Sequence, residues 1–201
     1  MTTEISDLQV SENLSEPLQR AEVDAASSAP VLFFFASAFF WLLTSTALYL
    51  VSTLQLQVPE FLATISWFTF GRLLPAHLNI ATYGWASMAG IGTALWIMAR
   101  LSRIRLQHRR ILVGAGILWN IGILVGVLGI LSGNSTSVEG LEFPKYAAVV
   151  LFAAYAFIGI WAVVMFSLRR PGHIYISQWY IIAAFFCFPW AYTIANIFLA
   201  C

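Results

Sequence analysis

Phe70-Gly-Arg-Leu-Leu-Pro-Ala-His-Leu-Asn79 opens an apolar stretch that runs on to Ala99 and places one of the chain's three histidines just inside its start. An ionisable ring at membrane depth costs about 3 kcal/mol or more, so His77 marks a candidate functional site. Residues 74–99 are long enough to cross the bilayer's hydrocarbon, about 30 Å that takes about 20 helical residues. Four further blocks share this character, Val31 to Leu54, Ile111 to Leu131, Tyr146 to Leu168 and Trp179 to Cys201. With 60% hydrophobic and 9% charged residues, the composition excludes a soluble domain. Unbroken apolar blocks must satisfy their backbone internally as helices, and they do not suit the alternating strands of a barrel. The sequence therefore predicts an all-α integral membrane protein with five transmembrane helices, forming a membrane domain over 30–201. Phe61 to Phe70 is aromatic but too short to span, and is expected along the interface.

Residues 1–29 differ in kind. Glu4, Asp7, Glu12, Glu16, Glu22 and Asp24 are offset only by Arg20, a composition that predicts a disordered acidic tail without the basic start of a signal peptide. Basic residues set the orientation. Arg100, Arg103, Arg105, Arg109 and Arg110 follow the second block, and Arg169 and Arg170 follow the fourth. The opposite loops offer only Arg72 and Lys145 beside Glu60, Glu139 and Glu142. The positive-inside rule puts the N-terminus in the cytoplasm and the C-terminus on the periplasmic side. In a chain of this kind the arginines report topology rather than nucleic-acid binding. Cys187 and Cys201 form no metal or haem-attachment motif and are expected to be packing residues.

Around His77 the residues allow two readings. Pro75 suits a first helical turn, and Ala81, Gly84 and Met88 follow at helical spacing on the histidine's face. Small residues there could seat a flat macrocycle, with His77 as an axial ligand to haem iron, or could simply let helices pack closely. Arg72 could hold a propionate in two-pronged fashion or extend to the headgroups. His108 and His173 fall on the opposite side of the membrane, so a second imidazole for the same iron must come from elsewhere. No histidine cluster for copper and no nucleophilic triad is present. Gly122-Ile-Leu-Val-Gly126 reads as a helix-packing motif.

Phe70-Gly-Arg-Leu-Leu-Pro-Ala-His-Leu-Asn79 resembles the second-helix motif of subunit I of cbb-type haem–copper cytochrome c oxidases. Tyr175-Ile-Ser-Gln-Trp-Tyr-Ile-Ile-Ala-Ala184, continuing through Phe188-Pro-Trp-Ala-Tyr192 to Asn196, is similar to that subunit's fifth helix. Gly140-Leu-Glu-Phe-Pro-Lys145 resembles its outer loop, with Lys145 standing where a second acidic residue is expected. The resemblance implies that His77 is one axial ligand of low-spin haem b, Arg72 a propionate partner, and Glu142 a neighbour of the propionates or of a calcium ion. It implies a multi-pass protein of the bacterial inner membrane. Its partners would be the rest of subunit I or another oxidase subunit, and c-type cytochrome subunits. The copper-binding histidines of that family lie on later helices, so no copper is expected here. The expected function is that of a truncated or split haem-binding subunit I. It would pass electrons from cytochrome c towards the oxygen-reducing centre and would not be competent as an isolated chain. The competing expectation is a cofactor-free scaffold or assembly protein derived from the same fold. A third is a homodimer clamping one haem between two copies of His77.

Overall fold

The computed structural model describes residues 2–62, 64–136 and 138–198, and every regular element among them is helical. Helix α1 spans Thr2–Gln57, and a short 3-10 turn Ser66–Phe68 leads into α2, Phe70–Asn79. A π-helical segment, Ile80–Ala86, connects α2 to α3, Ser87–Ser102, and is followed by α4, Arg109–Ser132, α5, Lys145–Ser167, and α6, Ile176–Phe198. Ile80 and Ala86 at the junctions keep right-handed helical dihedrals, so residues 70–102 form one continuous rod. Among the described residues the bundle therefore has five rods, one over each predicted apolar block. Residues 199–201, with the end of the fifth block and Cys201, lie outside the described residues. Pro17–Gln57, Arg109–Ser132 and Lys145–Ser167 are long and apolar enough to cross a membrane.

Each rod forms for the reason composition predicts, but three local features differ. First, α1 reaches back to Thr2, where the acidic composition predicts disorder. Leu, Glu, Gln and Ala are good helix formers, and polar contacts hold the segment against the arginine loops. Arg105 donates to Glu22 at 2.9 Å, Arg100 lies 3.7 Å from Asp24, and Arg170 donates to Gln19 at 2.8 Å. Second, α2 begins at Phe70, so Pro75 sits in the second turn rather than the first, and the carbonyl of Gly71 loses its helical donor. Third, the rod widens into the π-segment immediately after Asn79. There Trp119, fully buried on α4, donates its indole N–H to the Tyr83 carbonyl at 2.9 Å. A π-turn and a side chain entering the backbone ladder are both places where a helix departs from regular α geometry.

Packing is close wherever a glycine meets a ring. A Cβ on Gly84 would lie 2.8 Å from Trp41 Cβ and Cγ, so α1 approaches the π-segment to a distance only glycine permits. The face below His77 is thus filled by α1, and the packing reading of the small residues holds at Gly84. On α4, Gly122 meets Leu151 and Gly126 meets the Phe143 ring at similarly short range, which places the Gly122–Gly126 motif at the α4–α5 seam. The outward faces are apolar. Phe39, Phe40 and Leu50 on α1, Phe186 and Trp190 on α6, and Val149 and Ile160 on α5 are each more than half exposed, as expected of surfaces meeting lipid or further protein. Cys187 is exposed as well, not packed inside as expected.

The two arginine-rich links, after α3 and after α5, lie together at one end with the N-terminal part of α1. Arg170 donates its backbone N–H to the Ser102 carbonyl, and buried Gln178 donates to Ser102 Oγ at 3.2 Å. His77, Arg72 and Glu142 lie at the other end.

Candidate functional site

His77 is half-buried in α2 and faces α1. Its Nδ1 is 3.0 Å from the Ser45 carbonyl oxygen and 2.8 Å from Ser45 Oγ, while Ser45 Oγ is 3.1 Å from the His77 carbonyl. One proton assignment accommodates all three contacts. Nδ1–H donates to Ser45, and the Ser45 hydroxyl donates to the His77 carbonyl. Nε2 then keeps its lone pair. Tyr49, one turn further along α1, stacks its ring 4.8 Å from the imidazole at 35°. A ring whose Nδ1–H is tied to an acceptor while Nε2 stays basic has the form of a metal-ligating histidine.

Arg72 turns to α4. Its Nη1 donates to the Leu131 carbonyl at 2.9 Å, one of the last carbonyls of the helix and without an intrahelical donor. Gly133, at φ 92°, lies beneath the guanidinium, and a Cβ there would come within 2.8 Å of Nη2. Arg72 is thus held at the negative end of the α4 dipole, not extended freely to the headgroups.

Glu142 is 6% exposed and accepts a 2.6 Å hydrogen bond from Asn79 Nδ2, which also reaches the Pro75 carbonyl at 2.8 Å. The Oδ1 of Asn79 is buried without a hydrogen-bond partner. Tyr83 donates to the Gly140 carbonyl at 2.7 Å, so two side chains of the rod hold the loop before α5. His77 and Asn79 are two positions apart and so face different sides of their helix. The three predicted residues share one end of the bundle, but no hydrogen bond or ion pair joins them among the described residues.

His108 and His173 belong to the arginine end, beyond the far end of the 70–102 rod and about 35–40 Å from His77 at 1.5 Å per residue. Met88, Met98 and Met165 are fully buried. Among the described residues no group of three or more His, Cys, Asp and Glu could hold a metal ion.

Sequence reasoning missed the partners on α1. Thr44-Ser-Thr46 is a run of hydroxyls inside an apolar helix. Thr44 and Thr46 are exposed and bond back to carbonyls four residues earlier, whereas Ser45 is buried against His77. That polar run was the available signal. Trp41 donating to Asn120 Oδ1 at 2.6 Å, which joins α1 to α4, had none.

Residues 29–201 match the family model described as cytochrome c and quinol oxidase polypeptide I. A cytochrome c oxidase subunit 1 homolog of Bradyrhizobium diazoefficiens bacteroids is 26% identical over 161 residues, covering 77% of this chain and 28% of the relative. The subunit 1 homolog of Azorhizobium caulinodans is 25% identical over 158 residues, again covering 77% and 28%. The cbb3-type cytochrome c oxidase subunit CcoN1 of Stutzerimonas stutzeri is 25% identical over 129 residues, covering 63% and 27%. The chain spans little more than a quarter of the length of these curated relatives. The match over residues 29–201, on an all-helical bundle with long apolar rods, places the chain in the cytochrome c and quinol oxidase polypeptide I family.

Proposed function

We propose that this chain is the N-terminal, haem-binding part of a cbb-type subunit I, crossing the bacterial inner membrane five times with its N-terminus in the cytoplasm. His77 supplies one axial ligand to low-spin haem b, and the second comes from another segment or chain. The carrying observation is the Ser45 contact. With Nδ1–H donating to Ser45, Nε2 keeps the lone pair that would bind iron, and Tyr49 lies beside the ring at 4.8 Å. A haem bound there would carry one electron at a time between a c-type cytochrome subunit and the oxygen-reducing centre.

The chain's own residues hold and orient. Arg72 keeps guanidinium hydrogens beyond the Leu131 bond and is the propionate partner. Glu142 and the unpaired Oδ1 of Asn79 are hard oxygen donors, the type that calcium prefers. They are two of the donors such an ion would take beside the propionates. The remaining oxidase polypeptides cover the apolar outer faces, and the lipid bilayer covers the rest.

Reduced-minus-oxidised spectra of membranes carrying the chain together with its complementary oxidase segments test the assignment. His77→Ala should abolish the low-spin b-type signal, with the polypeptide still inserted. A bis-histidine spectrum that survives His77→Ala overturns the reading, and a complex without haem in the unaltered protein favours the cofactor-free scaffold. The isolated chain should reduce no oxygen.

A further inference from the structure

Where α1 and α4 lie side by side at the arginine end, a groove of about 470 Å³ opens between them. Arg109 and Arg110 stand at its head, at the start of α4, and Pro30 and Phe33 of α1 wall it with Gly114 and Ile117 of α4. A second cavity, of about 630 Å³, shares the two arginines and continues past Gln107 and His108. We propose that the two cavities together hold one phospholipid with an anionic headgroup, its phosphate on Arg109 and Arg110 and one acyl chain in the groove.

Charge selects the headgroup. Arg109 and Arg110 are exposed, and neither has a hydrogen-bond or ion-pair partner among the described residues. Arg105, which also lines the second cavity, is taken by Glu22 at 2.9 Å. Among the described residues no carboxylate lines either cavity. The first turn of α4 holds no acidic residue, so the positive end of its dipole adds to the two guanidiniums instead of being offset. Two planar guanidiniums bind phosphate oxygens in two-pronged fashion, and with nothing to neutralise them they favour a net anion over a zwitterion.

Depth selects the carrier. The apolar blocks of α1 and α4 begin at Val31 and Ile111, so the arginines stand at the level where hydrocarbon gives way to headgroups. From Arg110 to Ile117 the helix descends about 10 Å, and Ile111, Gly114 and Ile117 are exposed along that path. A Cβ on Gly114 would meet nothing within 4 Å, so the groove is open where a larger residue would fill it. A soluble phosphate compound would use the arginines and leave this apolar channel empty, whereas a lipid uses both. Basic pockets between transmembrane helices at the cytoplasmic surface bind anionic lipid headgroups. The site needs the arginine end at a membrane surface and no haem at His77, so its failure would leave the haem assignment untouched.

Native mass spectrometry of the full chain in neutral detergent, with phosphatidylglycerol or phosphatidylcholine of identical acyl chains added, tests it. One phosphatidylglycerol per chain should be retained in preference to phosphatidylcholine. Arg109→Gln combined with Arg110→Gln should weaken retention about thirtyfold, or about fivefold for each basic residue at an anionic surface. Arg100, Arg103 and Arg105 still mark the same side in that variant. Gly114→Leu fills the groove and keeps both arginines. Leucine is the better helix former and its Cβ meets no neighbour, so this variant should unfold no more easily than the parent. It should nevertheless retain the lipid about tenfold less, the loss of roughly two buried methylenes. Glycerophosphoglycerol, the same headgroup without acyl chains, should not displace the lipid at millimolar concentration. Displacement by it, equal retention of the two lipids, or undiminished retention in either variant overturns the proposal.

Discussion

The two ends of the bundle are held by different physics. At the His77 end, polar groups are few, buried or half-buried, and joined by hydrogen bonds across helix seams, two between neutral groups, Ser45 to His77 and Trp41 to Asn120, and two with one charged member, Arg72 to Leu131 and Asn79 to Glu142. At the arginine end, charges are many and exposed. Both members of the Glu22–Arg105 and Asp24–Arg100 pairs are at least 40% accessible. Buried neutral bonds keep their strength when salt is added, whereas exposed ion pairs are screened over a Debye length. The first end can therefore hold a ring in one orientation, and the ion pairs of the second weaken as salt rises.

Substitutions at the His77 end should cost most and ignore ionic strength. The largest effect is expected of Gly84→Val. The new side chain meets Trp41 within 3 Å at its first carbon, and overpacking of this kind costs about 1–3 kcal/mol. Unfolding in neutral detergent would measure it, and a variant as stable as the parent would show that α1 does not press on the π-segment. Trp41→Phe leaves Asn120 Oδ1 without its indole donor and should cost about 1 kcal/mol, the scale of interhelical hydrogen bonds in membranes. Ser45→Ala comes next, at about 0.5–1 kcal/mol. It removes the hydroxyl but keeps the carbonyl that accepts from Nδ1, so haem should still bind in the assembled complex while its potential shifts. An unchanged potential would show that the hydroxyl packs against the ring without tuning it.

The five rods were readable because block length against bilayer thickness is a coarse and robust quantity. His77 stands out in the sequence as a candidate because an imidazole in such a block is costly. What lies between rods was not. The Ser45–His77 contact joins residues 32 positions apart, and nothing in either helix's own pattern names its partner. The π-segment was hidden as well: the Tyr83 carbonyl within it accepts from Trp119 on another helix, a partner that its own stretch of sequence does not name. Residues 1–29 were read by composition, which weighs charge but not the partners that charge can find. Here those partners are the arginines of two later links.

The smallest effect is the one that tests the contrast most directly. Glu22→Gln removes the carboxylate that accepts from Arg105 at 2.9 Å, where both side chains are at least 60% exposed. Exposed pairs of this sort contribute about 0–1 kcal/mol. The variant should lose a few tenths of a kcal/mol at low salt, and the difference should vanish as ionic strength rises from about 0.01 M to about 1 M, where the Debye length falls from about 30 Å to about 3 Å. Trp41→Phe, measured beside it, should show the same loss at both salt concentrations. If the Glu22 effect persists at high salt, the N-terminal part of α1 is held by packing around Val23, which is 7% exposed, rather than by its charges. The arginine end would then be as rigid as the other, and the difference between the two ends would reduce to one of composition alone.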